Sequence, residues 1–251
     1  MGDSVDNNKK YAISVKDLHI CYRNIKKTSI RKAFLKKQAK VEYFEAVKGV
    51  SFDIEQGKIV GIVGKNGSGK STMLKAIAGI FSADKGTIDL YDNTLSLLSI
   101  GVGFQPKLTG YENIFLSGML LGFTEEEIKE KVDSIIEFSE LGKAIHKPVR
   151  AYSSGMYSKL AFSITAILET DILLIDEVFS VGDIKFKEKS YNKMKELISK
   201  EDRTVVIVSH SMNALKELCN EIIWLNDGVI MDQGTPEEII PKYEEYMRNL
   251  D

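Results

Sequence analysis

Residues 64–71 read GKNGSGKS and follow an apolar run at residues 58–63. An apolar strand, a glycine-rich loop that ends in Gly-Lys-Ser, and a helical pattern directly after it form the context of a Walker A motif. In such a loop, successive backbone N–H groups surround phosphate groups, and the helix that begins near Gly69 points its positive end at them. The sequence therefore predicts a site for a nucleoside triphosphate rather than a glycine-rich turn that only caps a core helix.

Two side chains of this loop have predicted roles of their own. The ammonium group of Lys70 is expected to reach the β- and γ-phosphates and so to take part in catalysis, and the hydroxyl of Ser71 is expected to bind Mg²⁺. The residues expected to contact the nucleotide here are Gly64, Lys65, Asn66, Gly67, Ser68, Gly69, Lys70, Ser71 and Thr72.

The bulk composition indicates one α/β domain with a subdomain, because 251 residues with 43% hydrophobic content can bury a full core. The formal net charge of -2 favours neither nucleic acid nor a strongly acidic partner. Cys21 and Cys219 have no CxxC spacing, so both are predicted to be reduced core thiols of a cytosolic protein. Since no apolar run approaches the ~18 residues of a membrane span and no signal peptide is recognisable, we expect a chain that is neither inserted nor secreted.

A basic segment separates the first two predicted strands. Residues 12–20 and 46–54 alternate in hydrophobicity and are predicted to be antiparallel strands. Between them, residues 23–40 contain eight Lys or Arg and no acid, with apolar residues at helical spacing. The pattern predicts a basic amphipathic insertion at residues 23–42, with a solvated surface helix as the alternative.

The rest of the chain alternates between two kinds of pattern. Strand patterns at residues 87–90, 95–100, 172–175 and 204–208 and a hairpin at 226–228 indicate an α/β core, with helices at 70–80, 184–199, 212–219 and after Pro236. Three consecutive helical patterns at 111–121, 124–138 and 153–168 interrupt this core. Thr124 and Glu127 form a predicted capping box at the start of the second. The sequence thus predicts a helical subdomain, at about residues 105–168, inserted in an α/β core.

Acidic and histidine side chains follow two predicted core strands. Asp176 and Glu177 end the apolar run at 172–175, as in a Walker B motif. Asp176 is expected to hold Mg²⁺, directly or through a water, and Glu177 to polarise an attacking water or accept its proton; a solvated strand end is the alternative. His210 follows the strand at 204–208, where α/β sheets place ligand groups, and is predicted to sense the γ-phosphate. His19 and His146 have no such context.

Residues 152–156, YSSGM, open a predicted helix about twenty residues before Asp176. This pentapeptide resembles the signature of ATP-binding cassette (ABC) ATPases, whose usual form is LSGGQ. The resemblance implies that Ser153, Ser154 and Gly155 bind the γ-phosphate of an ATP held by a second copy, so that a homodimer encloses two ATP molecules. The chain departs from the usual form at Ser154 and Met156, and backbone donation tolerates both changes.

The resemblance also implies a fold and further site residues. The fold would be an ABC nucleotide-binding domain over residues 1–251, with a RecA-like P-loop core, an N-terminal antiparallel β subdomain and the inserted helices. Gln105 would be the Q-loop glutamine that senses Mg²⁺ and the attacking water, and residues 180–183 would be the D-loop of the dimer interface. The aromatic residue that stacks on adenine would be Tyr22, Tyr43 or Phe44.

Nearly the whole chain resembles one branch of this superfamily, the ATP-binding subunits of bacterial exporters of polysaccharide, O-antigen or teichoic acid. The resemblance lies in the signature, the insertion, and residues 138–142, 147–149 and 180–183. It implies an ATPase at the cytoplasmic face of the cell membrane, bound to two copies of a polytopic permease and moving a lipid-linked polysaccharide, with no nucleic acid. The alternatives are the cassette of a drug or small-solute transporter and, less favoured, a soluble ABC ATPase.

Overall fold

The structure is a computed structural model that describes residues 11–24, 42–98, 103–176, 183–200 and 202–250. Most of the predicted basic insertion lies outside these residues, as do Glu177 and residues 180–182 of the predicted D-loop. The described strands, in chain order, are Tyr11–Asn24 (β1), Glu42–Glu55 (β2), Ile59–Val63 (β3), Lys85–Asp89 (β4), Leu95–Leu97 (β5), Ile172–Asp176 (β6), Thr204–Val208 (β7), Glu221–Asn226 (β8) and Val229–Gly234 (β9).

The described α-helices fall into two groups. Four accompany the strands of the core: Lys70–Ile77 (α1), Ile184–Ile198 (α5), Met212–Leu218 (α6) and Pro236–Arg248 (α7). Three follow one another between β5 and β6: Gly110–Leu120 (α2), Glu125–Ser139 (α3) and Ser154–Leu168 (α4). Within the described residues, no helix combines the length and the apolar character that crossing a bilayer requires.

The strands form two sheets. β1 pairs antiparallel with β2 on one side and with β4 on the other, which confirms the antiparallel pairing predicted for the first two strands. The second sheet has the order β5-β6-β7-β3-β8-β9 and is parallel except for the β8–β9 hairpin. The continuous apolar runs of β6 and β7 match this arrangement, because a parallel sheet is covered on both faces.

Three apolar clusters hold these layers together. One joins the antiparallel sheet to α1 and to one face of the parallel sheet, and includes Ile13, Val15 and Leu74. A second covers the opposite face of the parallel sheet with α5, α6 and α7. The third joins α2, α3 and α4 with Leu141 and Ile145 of the segment between α3 and α4, and its fully buried residues include Ile114, Ile135 and Leu160. The predicted α/β fold with inserted helices is therefore confirmed.

Helix caps explain where two of the inserted helices begin. Thr124 accepts a hydrogen bond from the backbone of Glu127, whose carboxylate accepts one from the Thr124 backbone, so the predicted capping box is confirmed. Thr109 and Glu112 form a second capping box at the start of α2, which was not predicted. The Thr-x-x-Glu spacing of Thr109 and Glu112 is the sequence signal that could have predicted this second box.

The prediction for one of the two cysteines is wrong. Cys219 is buried, and burial raises the pKa of its thiol to about 12. Cys21 is only half-buried, and its backbone N–H donates to Asp84 Oδ2 at 2.6 Å. It lies near the end of β1, beyond the apolar stretch that packs on α1, so an apolar strand context was not enough to predict burial.

His19 lies between two carboxylates on the antiparallel sheet, with Nδ1 2.6 Å from Glu45 Oε1 and Nε2 3.1 Å from Asp17 Oδ1. The hydrogen bond to Glu45, more than that to Asp17, raises the pKa of His19 above its ordinary value of 6.5. A raised pKa means that the protonated ring stabilises the fold fully below about pH 6.5 and loses this contribution as the pH rises through the folded-state pKa.

We therefore expect the stability difference between the wild type and His19→Gln to be largest in acid and to shrink above neutrality. Urea unfolding from about pH 5.5 to 8.5 measures this difference. His146→Gln is the control, because among the described residues His146 contacts no carboxylate. A difference that stays constant, or grows with pH, would contradict the expected role of His19.

Candidate functional site

Three neighbouring strands bring the predicted site residues to one edge of the parallel sheet. The glycine-rich loop follows β3, Asp176 ends β6, and His210 comes shortly after β7. β7 lies between the other two, with Val208 paired to Asp176 on one side and to Ile62 on the other. Because the carboxyl ends of parallel strands meet at the same edge, the three motifs converge there.

The loop at residues 64–71 is held closed by its own lysine. Lys70 is only 5% exposed, and its Nζ donates to the carbonyl oxygens of Gly64 at 2.8 Å and Lys65 at 3.1 Å. A cavity of about 280 Å³ lies over the loop and the start of α1, lined by Asn66, Gly67, Gly69, Lys70, Ser71 and Thr72. The cavity therefore combines a buried cation with the N-terminal end of a helix, which suits an anionic ligand.

Two glycines of the loop are required by close backbone contacts. A Cβ atom on Gly64 would lie 2.1 Å from the carbonyl oxygen of Leu225, and one on Gly69 would lie 2.4 Å from that of Ala46. Gly69 also has a φ of 102°, in the left-handed region that side chains rarely adopt. The loop thus lies directly on the backbones of β2 and β8. By contrast, a Cβ atom on Gly67 would meet nothing within 4 Å.

Two of the three predicted metal ligands lie side by side. The hydroxyl of Ser71 donates to Asp176 Oδ1 at 2.9 Å. Mg²⁺ takes oxygen ligands and is commonly held by one or two protein groups together with substrate phosphates, so this pair beside the phosphate cavity suits that ion. Among the described residues, no cluster of three or more His, Cys, Asp or Glu side chains could hold a metal by itself.

Gln105, the third predicted ligand, is held in place by hydrogen bonds between its backbone and the side chain of Asn113. Its N–H donates to Asn113 Oδ1 at 2.7 Å, and its carbonyl oxygen accepts from Asn113 Nδ2 at 3.2 Å. Asn113 is fully buried and also donates to the carbonyl oxygens of Leu108 and Thr109. In the described part of the chain, no hydrogen bond joins Gln105 to Ser71 or Asp176. Its role toward Mg²⁺ stays a prediction.

The aromatic candidates lie where β1 and β2 pair. Tyr22 is directly opposite Phe44, so both side chains lie on one face of the sheet, while Tyr43 is opposite Arg23 and alternates to the other face. The hydroxyl of Tyr22 lies 3.0 Å from Thr72 Oγ1 in the first turn of α1, and its ring packs edge-on against Phe81. The structure thus brings Tyr22 to the phosphate cavity.

The predicted signature residues open α4 at the surface. Ser153 is the N-cap of this helix, and its Oγ accepts the backbone N–H of Met156 at 3.2 Å. Ser153 and Ser154 are exposed. Within the described residues, no hydrogen bond or ion pair joins them to the loop at residues 64–71. The start of α4 is therefore at the surface, and its residues are not among those that line the phosphate cavity.

A family profile described as ABC transporter matches residues 47–180, more than half of the chain. The match includes the glycine-rich loop, the signature and Asp176. The chain belongs to the ABC transporter family. The predicted family is thereby confirmed.

Individual relatives refine this assignment. This ABC protein is 42% identical over 207 residues to the "Teichoic acids export ATP-binding protein TagH" of Bacillus anthracis, covering 82% of this chain and 37% of the relative. It is 41% identical over 202 residues to the "O-antigen export system ATP-binding protein RfbB" of Klebsiella pneumoniae, covering 80% of this chain and 82% of the relative. The chain is therefore similar to ATP-binding proteins of the predicted branch.

The fold is shared with a solved ATP-binding cassette, and several curated relatives are longer than this chain. A solved dimer of the ATP-binding cassette MJ0796 with ADP and Pi resembles this ABC protein at a TM-score of 0.66 and 23% identity, covering 89% of this chain and 98% of that one. At this identity the likeness bears on the fold alone. The chain spans only 37%, 46% and 44% of three of the curated relatives that it matches.

Other predicted site residues of this ABC protein differ in how far the structure describes them. His210 is exposed beside the buried end of β7, and it also has an interaction partner. Glu177 lies outside the described residues, so its role stays a prediction.

Asn113 was not predicted as a site residue, because nothing in the local pattern distinguishes a buried asparagine from an exposed one in the first turn of a helix.

Proposed function

We propose that this ABC protein hydrolyses ATP to power the export of a lipid-linked cell-surface polysaccharide, such as O-antigen, capsule or teichoic acid, across the cell membrane. The observation that carries the ATPase part is the 2.9 Å contact between Ser71 and Asp176 beside the phosphate cavity closed by Lys70. The export part rests on the relatives, which are named for teichoic acid and O-antigen export.

In this proposal the loop binds the triphosphate of ATP through its backbone N–H groups and the ammonium of Lys70. Ser71 and Asp176 hold Mg²⁺, with Gln105 as a further contact; the ion, when bound, neutralises charge that develops on the phosphates. Glu177 accepts the proton of the attacking water, and His210 contacts the γ-phosphate. Hydrolysis of this kind needs little covalent chemistry from the protein, so the positions of these side chains decide the rate.

Tyr22 is proposed to stack on adenine, with Phe44 beside it on the same face. Because base stacking contributes about 1–3 kcal/mol, we expect Tyr22→Ala to weaken ATP binding about tenfold. Tyr43→Ala is the matched control and is expected to bind ATP like the wild type, since its ring lies on the opposite face of the sheet. Calorimetric titration with ATP and with tripolyphosphate separates base from phosphate contacts. Equal losses for both ligands would contradict stacking by Tyr22.

The exposed start of α4 supports a homodimer. We propose that Ser153, Ser154 and Gly155 bind the γ-phosphate of the ATP held by a second copy, because a helix N-terminus with exposed N–H groups favours an anion. Two copies then enclose two ATP molecules, and hydrolysis reopens them. This cycle would move the permease copies docked on the dimer.

The proposed partners are two copies of a polytopic permease, and the proposed location is peripheral, at the cytoplasmic face of the cell membrane. Residues 23–40 support this location by composition, since each Lys or Arg near an anionic leaflet contributes about 1 kcal/mol. The same charges suit the phosphates of a lipid-linked glycan. No nucleic acid partner is proposed, because the net charge is -2.

Purification of the tagged chain from detergent-solubilised membranes tests this function. We expect a polytopic membrane protein to co-purify in equal amount, and we expect added lipid-linked polysaccharide to raise the ATPase rate of the complex. Stimulation by drugs or small solutes instead would favour another transporter class. Co-purifying ribosomes or nucleic acid, without a membrane protein, would favour a soluble ABC ATPase.

A further inference from the structure

The β8–β9 turn, residues 226–228, lies against the glycine-rich loop. The backbone N–H of Gly228 donates to the carbonyl oxygen of Ser68 at 3.0 Å. In addition, Lys65 Nζ lies 2.9 Å from Asp227 Oδ1. The turn also contacts β2, because the carbonyl oxygen of Gly228 accepts the backbone N–H of Lys48 at 2.8 Å. One backbone hydrogen bond and one ion pair thus fix the loop from outside, in addition to the two hydrogen bonds from its own lysine.

The hairpin geometry explains the glycine of this turn but not its charge. Asn226 pairs with Val229, and the two residues between them, Asp227 and Gly228, have φ values of 47° and 84°. Positive φ at both central positions is typical of a type I′ hairpin, for which Asn-Gly is as suitable as Asp-Gly. The turn therefore does not need a carboxylate at residue 227, and this carboxylate binds Lys65.

Lys65 supports the loop without facing the phosphate cavity. Its side chain is 34% exposed and is not among those that line the cavity. Its backbone carbonyl oxygen, however, accepts a hydrogen bond from Lys70 Nζ at 3.1 Å. Asp227 therefore holds the side chain of a residue whose backbone holds Lys70, the buried cation of the site.

The same turn is attached to the C-terminal helix α7. Asn226 Nδ2 donates to the hydroxyl of Tyr246 at 3.1 Å. Asn226 Oδ1 is buried and has no hydrogen-bond partner in the described part of the chain, so the Tyr246 hydroxyl is the contact that fixes this amide. The rings of Tyr243 and Tyr246 pack edge-on against Trp224 of β8, with centroids 5.8 and 5.1 Å apart. The loop and α7 thus both contact the β8–β9 turn.

We propose that the β8–β9 turn couples α7 to ATP affinity, with Asp227 and Tyr246 as positioning residues that hold the glycine-rich loop in the shape that binds a triphosphate. The inference rests on the proposed function, which supplies the ATP. A loop that is fixed before the nucleotide arrives loses less conformational entropy on binding, which raises affinity. Because coupling between two sites is reciprocal, bound ATP also stabilises the contact between α7 and the turn.

The first test is a double-mutant cycle in the full chain with Lys65→Met and Asp227→Asn. Asparagine keeps the turn and removes the carboxylate. We expect each single variant to raise the Kd for ATP about threefold, and the double variant to bind no more weakly than either single variant. In Asp227→Asn the kcat should stay within about twofold of the wild type, because positioning of the loop acts on binding. Calorimetric titration and ATPase turnover measure these quantities.

The direction of the Asp227→Asn effect separates positioning from long-range electrostatics. Through charge alone, loss of a carboxylate would tighten the binding of an anion, whereas loss of the Lys65 ammonium would weaken it. Positioning predicts weaker binding in both variants. A Kd for Asp227→Asn at or below that of the wild type, or additive losses in the cycle, would overturn the coupling while the ATPase function stands.

The second test is Tyr246→Phe, which keeps the ring on Trp224 and removes only the hydroxyl that accepts from Asn226. We expect its Kd for ATP to rise about threefold. Tyr243→Phe is the matched control and should bind ATP like the wild type. Its ring also packs on Trp224, but among the described residues its hydroxyl forms no hydrogen bond with the β8–β9 turn.

Trp224 is the only tryptophan of the chain, so its fluorescence reports on the contact with α7. We expect ATP to shift this emission in the wild type and to shift it less in Tyr246→Phe. A wild-type Kd in Tyr246→Phe, an equal loss in Tyr243→Phe, or an emission that ATP leaves unchanged would each overturn the coupling to α7. A wild type that binds no ATP would overturn the proposed function and the coupling together.

Discussion

Glu177→Gln is expected to bind ATP with nearly wild-type affinity and to hydrolyse it at least about a hundredfold more slowly, because general-base catalysis typically contributes about 10²–10⁴. Glutamine keeps the size of the side chain but cannot accept the proton of the attacking water. Since Lys70 and Ser153 remain, the variant should accumulate as an ATP-bound dimer. Single-turnover hydrolysis and light scattering with and without ATP measure the two effects.

Glu188→Gln is the matched control for this experiment. Glu188 is exposed on α5, and the change removes one carboxylate from the surface without affecting the edge where β6, β7 and β3 end. We expect wild-type turnover and no ATP-dependent dimer beyond that of the wild type. Turnover near the wild-type rate in Glu177→Gln would refute the assignment of this residue as the base.

Lys70→Met is expected to weaken ATP binding about a hundredfold, because hydrogen bonds to charged groups contribute about 1.5–3 kcal/mol each and the variant loses a phosphate contact. It also loses the two bonds with which Lys70 holds the carbonyl oxygens of Gly64 and Lys65. Methionine preserves most of the apolar stem, so packing of the start of α1 should persist. Calorimetric titration with ATP and Mg²⁺ measures the loss.

Lys75→Met on the same helix is the control for charge removal. Lys75 lies in the last turn of α1, away from the cavity that residues 66–72 line. Its Kd for ATP should equal that of the wild type, and it should unfold at the wild-type urea concentration. A Kd for Lys70→Met within about threefold of the wild type would show that backbone N–H groups alone hold the phosphates.

Local sequence patterns sufficed for much of the fold. The β7 boundaries at Thr204–Val208 are those predicted, since five consecutive β-branched residues between Arg203 and Ser209 strongly favour a strand. The caps at Thr124 and Ser153 were also predictable, because a side-chain oxygen beside the first helical N–H groups is a local interaction. The glycine-rich loop and Asp176 were predictable because each directly follows an apolar run that is recognisable as a strand.

Interactions between distant parts of the chain were not predictable in this way. β1 and β2 extend beyond their apolar stretches to Asn24 and Glu42, because backbone pairing continues after burial ends. The partner of Lys159 is Asp183, and the loop glycines are fixed by Leu225 and Ala46, all through contacts that no local pattern encodes. The burial of Asn113 and the partial exposure of Cys21 likewise depend on packing between separate elements.

The strand order has a consequence for biosynthesis. β3, which leads into the glycine-rich loop, pairs with β7 and β8, which are synthesised much later. Ile59 pairs with Val205, and Val60 pairs with Glu221. A nascent chain that has emerged only as far as α4 therefore presents β3 with both edges unpaired, which is a hazard for aggregation. C-terminal truncations before β8 are therefore expected to yield insoluble protein rather than a folded domain of lower stability.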